Sequence, residues 1–295
     1  MNEATPHVDV LKVRRNFARA SAGYDASAVL QREVASRMLE RLDYVKIEPK
    51  CVLDIGCGTG GSLAALSERY PKSFVFGADA SEAMLLAGRG QRSRLRWLLP
   101  FVRGNTASLL AADAQALPLK TASAGLIWSN LMLHWLDDPL AVFRELHRVL
   151  DVGGLLMFSA FGPDTLKELR SCFADGYDHT HHFIDMHDYG DMLSASGFAD
   201  PVMDVEMLTM TYAGVDDLLD DLRRNGSSCA MRGRRRGLMG RNTWQAARAA
   251  YEKLAKDGRL PATFEIVYGH AWKAQPSRTD DGRTIVRFDP KQRLR

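Results

Sequence analysis

The sequence is poor in cysteine and has no pattern among the cysteines present. Cys51, Cys57, Cys172 and Cys229 form no C-x-x-C pair. That leaves no basis for a disulfide framework or a cysteine zinc site, and isolated thiols predict a cytoplasmic protein. Long apolar runs are also missing. Stretches such as Leu155 to Phe158 fall far short of the roughly 20 residues a membrane helix needs. Met1 to Arg15 mixes Glu3, Asp9, Lys12, Arg14 and Arg15 with no apolar h-region, so no secretory signal is expected there. Neither charge dominates: the formal net charge is +3, and any basic partner surface must come from local clustering. What the chain does have is 46% hydrophobic residues against 25% charged, enough for a core of normal size.

Hydrophobic spacing predicts helices over Val10–Ala20 and Val29–Leu42. Pro49 breaks that pattern before Cys51–Ile55, which reads as a buried strand. Elements then alternate. A helix over Gly60–Tyr70 precedes a strand at Phe74–Ala78, and Ser81 caps a helix running to about Ala87. Strands are predicted at Ser108–Ala112 and Gly125–Asn130, then a helix over Asp138–Leu150 ended by Gly153 and Gly154, then a strand at Leu155–Ala160. This rhythm predicts an α/β fold with a mostly parallel sheet and helices on both faces. Beyond Phe161 the expected elements are helices at Thr165–Ala174 and Met186–Ser196 around a His-rich loop, a strand at Val202–Tyr212, and helices at Asp216–Arg223 and Thr243–Lys256. A final antiparallel strand is expected at Phe264–Lys273. The expected division is a helical lid over 1–45, a main domain over 46–275 with substrate-side insertions near 88–107 and 162–260, and a polar tail over 276–295.

The strongest local signal is Leu53-Asp54-Ile55-Gly56-Cys57-Gly58-Thr59-Gly60, three alternate glycines between a strand and a helix. Without Cβ atoms the turn can press on a ligand, and the helix N-terminus offers free N–H groups. Gly56, Gly58 and Gly61 also satisfy the dinucleotide pattern G-x-G-x-x-G, a weak match by itself. Asp54 disfavours a phosphate and suits a ligand ammonium, and no second mononucleotide-binding half follows. Asp79 ends the second strand, where it can accept from ribose hydroxyls. Asp113 ends the third, where it can accept from an exocyclic amine. Any one of these acids is equally readable as a cap or loop acid; three at successive strand ends point to a nucleoside site.

Val52-Leu53-Asp54-Ile55-Gly56-Cys57-Gly58-Thr59-Gly60, with Asp79 and Asp113-Ala114-Gln115-Ala116-Leu117-Pro118, resembles the class I S-adenosylmethionine-dependent methyltransferases. The resemblance spans about residues 10 to 275 and implies a Rossmann-like fold. It also implies S-adenosyl-L-methionine as cofactor, with the glycine loop on its methionine part, Asp79 on its ribose and Asp113 near its adenine. Phe17 to Asp25, Ser129-Asn130-Leu131-Met132-Leu133-His134-Trp135, Phe161 to Arg170 and Tyr268-Gly269-His270-Ala271-Trp272 resemble one member family, the malonyl-[acyl-carrier protein] O-methyltransferases of biotin synthesis. That likeness implies methyl esterification of the free carboxylate of a malonyl thioester. Arg241 to Tyr268 also resembles a methyltransferase-fold assembly factor of respiratory complex I associated with arginine hydroxylation, and fold alone does not fix chemistry. The stretch from Gly88 to Ala107 departs from the compact family pattern.

A malonyl carboxylate is ionised at neutral pH, so methyl transfer to it needs alignment and exclusion of water but no general base. Tyr24, His134 and Trp135 are the side chains expected nearest the transferred methyl, although each is also readable as packing. The expected cofactor residues are Asp54, Gly56, Gly58, Gly60, Asp79, Asp113 and Asn130. Arg89, Arg92, Arg94, Arg96 and Arg103 form one basic cluster, and Arg232, Arg234, Arg235, Arg236 and Arg241 another. Both suit an acidic acyl-carrier protein; neither is interleaved with the aromatics that RNA recognition would use. His179, His181, His182 and His187 lie near Asp178, Asp185 and Asp188 but lack zinc-site or facial-triad spacing, so a lid loop without metal is expected.

Overall fold

The computed structural model describes residues 8–98 and 108–275, with side chains for all of these except 91–98. Three N-terminal helices come first: α1 (Val10–Ala20), α2 (Tyr24–Ser27) and α3 (Val29–Arg41). The alternating part comprises β1 (Cys51–Ile55), α4 (Leu63–Arg69), β2 (Phe74–Asp79), α5 (Glu82–Leu98), β3 (Ser108–Ala111), β4 (Ala124–Ser129), α6 (Pro139–Val149) and β5 (Leu150–Phe161). The chain continues through α7 (Lys167–Ser171), α8 (Met186–Ala195), β6 (Ala199–Tyr212), α9 (Val215–Arg224), α10 (Arg241–Glu252) and β7 (Leu260–Trp272). Asp9 starts α1 by accepting the Lys12 N–H at 3.0 Å. Asp138 starts α6 through Ala141 N–H, with Pro139 in the first turn.

The seven strands form one sheet in the order β3-β2-β1-β4-β5-β7-β6. β1 to β5 run parallel, and β7 is antiparallel to both β5 and β6. The strand order reverses direction between β1 and β4, and that switch opens a crevice at the carboxyl ends of the strands. Alternate residues divide the core between two faces. Val52, Trp128 and Met157 join Val34, Met38 and Leu66 on one side; Leu53, Ile127 and Phe158 join Phe143, Leu146 and Tyr189 on the other. Each of these is at most 2% exposed, and such burial stabilises by about 1.5–3 kcal/mol per large apolar side chain.

The bounds differ from sequence expectation in instructive places. Gly60–Ser62 is a turn, so α4 begins at Leu63. α5 does not stop near Ala87 but continues to Leu98, and at Gly88 it lies against the backbone of Thr59. Gly153 and Gly154 do not end α6. Leu150 already takes extended backbone, and both glycines lie within β5. α7 is shorter than the predicted Thr165–Ala174 helix. The 276–295 tail, residues 99–107 with Arg103, and the side chains of Arg92, Arg94 and Arg96 lie outside the described residues. No helix among the described residues is long and apolar enough to cross a membrane.

Candidate active site

A cavity of about 510 Å3 opens at the switch point, a size suited to a small-molecule ligand. Its floor is the loop after β1. Gly56 and Gly58 both have left-handed backbone (φ +71° and +57°), and a Cβ on Gly56 would lie 2.3 Å from Met132 Cγ. The turn therefore needs glycine for conformation and for space. Asp54, in β1, is 2% exposed and faces the same cavity. Asp79 accepts the Gly58 N–H at 2.8 Å through one carboxylate oxygen and the Ser81 N–H at 2.7 Å through the other. Burial raises its carboxyl above the ordinary carboxylate range, against the pull of those two amides. Asp113 lies two residues beyond β3 and binds Arg14 at 2.9 Å and the Gln115 N–H at 3.0 Å.

Of the expected cofactor residues, Asp54, Gly56, Gly58, Asp79, Asp113 and Asn130 all line this cavity. Gly60 does not. Its N–H bonds to the Cys57 carbonyl and its positive φ turns the chain toward Gly61, which lines the wall in its place. Asn130 has its amide engaged at both ends, donating to the Gln31 carbonyl and accepting from Ser159 Oγ. Its position joins α3 to β5 across the cavity.

The N-terminal helices roof the cavity. Thr59 Oγ1 donates to Asp25 at 2.5 Å, Asn16 donates to the Ser228 carbonyl, and Phe17 meets Trp135 edge-on at 5.2 Å. None of these partners carries a local sequence signal, although Phe17 and Asp25 bound a segment singled out by resemblance. Tyr24 begins α2 and lines the cavity from the roof; burial and the charges of Asp79, Asp25 and Asp54 all disfavour its phenolate. His134 and Trp135 lie in a 3-10 turn (Leu133–Trp135) after β4 and line the cavity with Phe161. His134 is 4% exposed, and burial pushes its imidazole well below the ordinary histidine value. Its Nδ1 accepts the Phe161 N–H at 3.4 Å, which leaves the proton of the neutral ring on Nε2.

The His-rich loop does not gather into a metal site: among the described residues no three His, Cys, Asp or Glu side chains stand together suitably. His179 pairs with Asp175 at 2.8 Å and stacks on Phe173, and His182 pairs with Asp178 at 2.8 Å. His181 is buried against Trp135. Of the second arginine cluster, Arg234 binds Asp9 and Arg235 binds Asp175, so these two hold loops together. Arg232, Arg236 and Arg241 are exposed, as is Arg89 on α5.

This architecture has close counterparts. A family model described as a methyltransferase domain matches residues 53–158, from β1 to β5. Two curated malonyl-[acyl-carrier protein] O-methyltransferases are similar over nearly their whole length. That of Laribacter hongkongensis is 51% identical, covering 96% of this chain and 97% of its own. That of Gallionella capsiferriformans is 49% identical, covering 97% and 98%.

The chain belongs to the malonyl-[acyl-carrier protein] O-methyltransferase family.

As a member of that family it is a methyltransferase, and its sheet is the class I Rossmann-like one. The same fold is seen in YcgJ of Bacillus subtilis (TM-score 0.55, 14% identity, 83% of this chain and all of that one). It recurs in an S-adenosylmethionine-dependent methyltransferase of Thermotoga maritima (TM-score 0.51, 17% identity, 88% and 99%).

Proposed function

We propose that this protein uses S-adenosyl-L-methionine to methyl-esterify the free carboxylate of malonyl-[acyl-carrier protein] in the cytoplasm, as an early step toward biotin. The observation that carries this reading is one cavity lined by two unlike sets of residues. Gly56, Gly58, Asp54, Asp79 and Asp113 are the first set, and Tyr24, His134, Trp135 and Phe161 the second. The first set suits the cofactor: a cradle without Cβ atoms for close approach, and carboxylates for an ammonium, ribose hydroxyls and an exocyclic amine. Bound there, S-adenosyl-L-methionine supplies an electrophilic methyl group.

The chain's own task is to bring a carboxylate oxygen to that group and keep water away. The nucleophile is ionised at neutral pH, so no base is required of the protein. The buried, neutral His134 matches that requirement, since it offers an N–H donor rather than a proton acceptor. Tyr24 and the roof of α1 and α2 close the cavity over the reacting atoms. Arg232, Arg236 and Arg241, exposed on the loop before α10 and at its start, supply the positive rim that would steer an acidic carrier protein.

Mass spectrometry tests the reading. Purified protein, S-adenosyl-L-methionine and malonyl-carrier protein should yield a carrier heavier by one methylene unit and resistant to a second methylation. No ester on malonyl-carrier protein or on malonyl-CoA would reject it.

A further inference from the structure

A second cavity, about 140 Å3, adjoins the first, and the mechanism above leaves it unused. The two share Gln31, Trp135, Phe161 and Ser227 as lining, so Trp135 and Phe161 form the partition between them. Its outer wall is built by two loops that hold each other. Cys229 Sγ contacts the Thr180 carbonyl, and the Ala230 N–H donates to His181 Nε2 at 3.0 Å. The surface it presents is mostly apolar and leads outward to Arg223, whose side chain is 63% exposed. Such a passage suits a thin, weakly polar chain better than a compact charged ligand.

His181 stands in its wall, and one of its two ring nitrogens is tied to the fold. His181 is 4% exposed, and its Nδ1 has no hydrogen-bond partner among the described residues. Because Nε2 accepts from Ala230, the neutral ring must carry its proton on Nδ1. His134 repeats this arrangement on the other side of the partition. It is fixed by the Phe161 N–H at Nδ1, and its Nε2 is equally unpartnered. The two imidazoles flank Trp135, with ring centroids 4.8 Å and 4.6 Å from the indole. A buried N–H without an acceptor costs free energy, and two of them set in matching fashion on adjoining cavities point to a ligand with two acceptors.

We infer that the second cavity is the thioester subsite: His181 Nδ1–H holds the acyl carbonyl there, His134 Nε2–H holds the carboxylate in the first cavity, and the carrier's thiol arm leaves past Arg223. This rests on the functional reading above and adds to it a measure of acyl length. A β-carboxyacyl thioester places an acceptor on each side of Trp135, whereas a simple acyl thioester satisfies only His181.

Steady-state kinetics on malonyl-carrier protein, with calorimetric titration of S-adenosylhomocysteine, test the assignment. His181→Phe keeps a ring but no donor, and should raise KM roughly tenfold, as expected for one lost buried hydrogen bond. Affinity for S-adenosylhomocysteine should stay at the wild-type level, and His181→Gln, which retains an acceptor for Ala230 and a donor, should recover most of the loss. Leu219→Phe narrows the cavity from α9. It should raise KM similarly, and it keeps the test intact if His181→Phe folds poorly. Wild-type KM in either variant, or a loss of activity matched by loss of S-adenosylhomocysteine binding, overturns the subsite. A wild type that esterifies no malonyl thioester overturns the functional reading together with the subsite.

Discussion

Asp79 serves the fold and the proposed ligand with the same two oxygens. It fastens the glycine loop through Gly58 and the start of α5 through Ser81 while facing the cavity. Asp79→Ala removes both acceptors and should weaken S-adenosylhomocysteine binding by roughly tenfold or more in calorimetry. Unchanged affinity would show that the acid only shapes the loop. His181 yields a prediction about pH. Burial, with the positive charge of His182 beside it, holds its imidazole down at about 4, below the ordinary 6.5. As pH falls the unfolded chain takes up that proton first, so the contribution is full above 6.5 and is lost between 6.5 and about 4. His181→Gln should flatten urea-unfolding stability over that window; an unaltered slope would contradict the placement. Asp54, Gly56, Gly58, Asp79 and Asp113 were legible as residues because strand ends and glycines are local signals. Their partners were not. Arg14 meets Asp113 across 99 positions and Asp25 meets Thr59 across 34, and no periodicity announces either contact.

Among the elements, α1 and β1 take the bounds that their apolar spacing predicts, Val10–Ala20 and Cys51–Ile55. α5 shows where such reading fails. The sequence predicts a helix end at about Ala87, yet the helix runs on through Gly88 and Gly90. Only contact explains the first: a Cβ on Gly88 would stand 2.1 Å from the Thr59 carbonyl oxygen, whereas one on Gly90 would meet nothing within 4 Å. Paired substitutions separate the two cases. Gly90→Ala should stabilise by about 0.5–1 kcal/mol through helix propensity and lost unfolded-state freedom. Gly88→Ala should instead lower the melting temperature and the affinity for S-adenosylhomocysteine, because α5 must move off the glycine loop. Two stabilised variants would show that α5 does not press on Thr59. Gly153 and Gly154 misled for the opposite reason, since the strand to which they belong is fixed by pairing with β4 and β7 rather than by local preference.

For the molecule as a whole, the sheet brings Asp54, Asp79, Asp113 and Asn130 to one end, and the N-terminal helices cover that end. On the proposed function, carrier recognition falls to the outer rim. Arg232→Glu combined with Arg236→Glu should raise KM for malonyl-carrier protein severalfold, with the difference shrinking as salt rises, and should leave malonyl-CoA turnover nearly unaltered. Equal losses on both substrates would remove these arginines from carrier docking. This surface could be guessed from clustering alone, but not which arginines are free, because Arg234 and Arg235 are held by Asp9 and Asp175 from distant segments. On the proposed function, the cavity at the β1–β4 switch seats S-adenosyl-L-methionine or its demethylated product. Calorimetric titration of the full chain with S-adenosylhomocysteine tests it most directly. Saturable one-site binding that Gly56→Val abolishes is the predicted result, and absence of heat from a folded wild-type protein would contradict it.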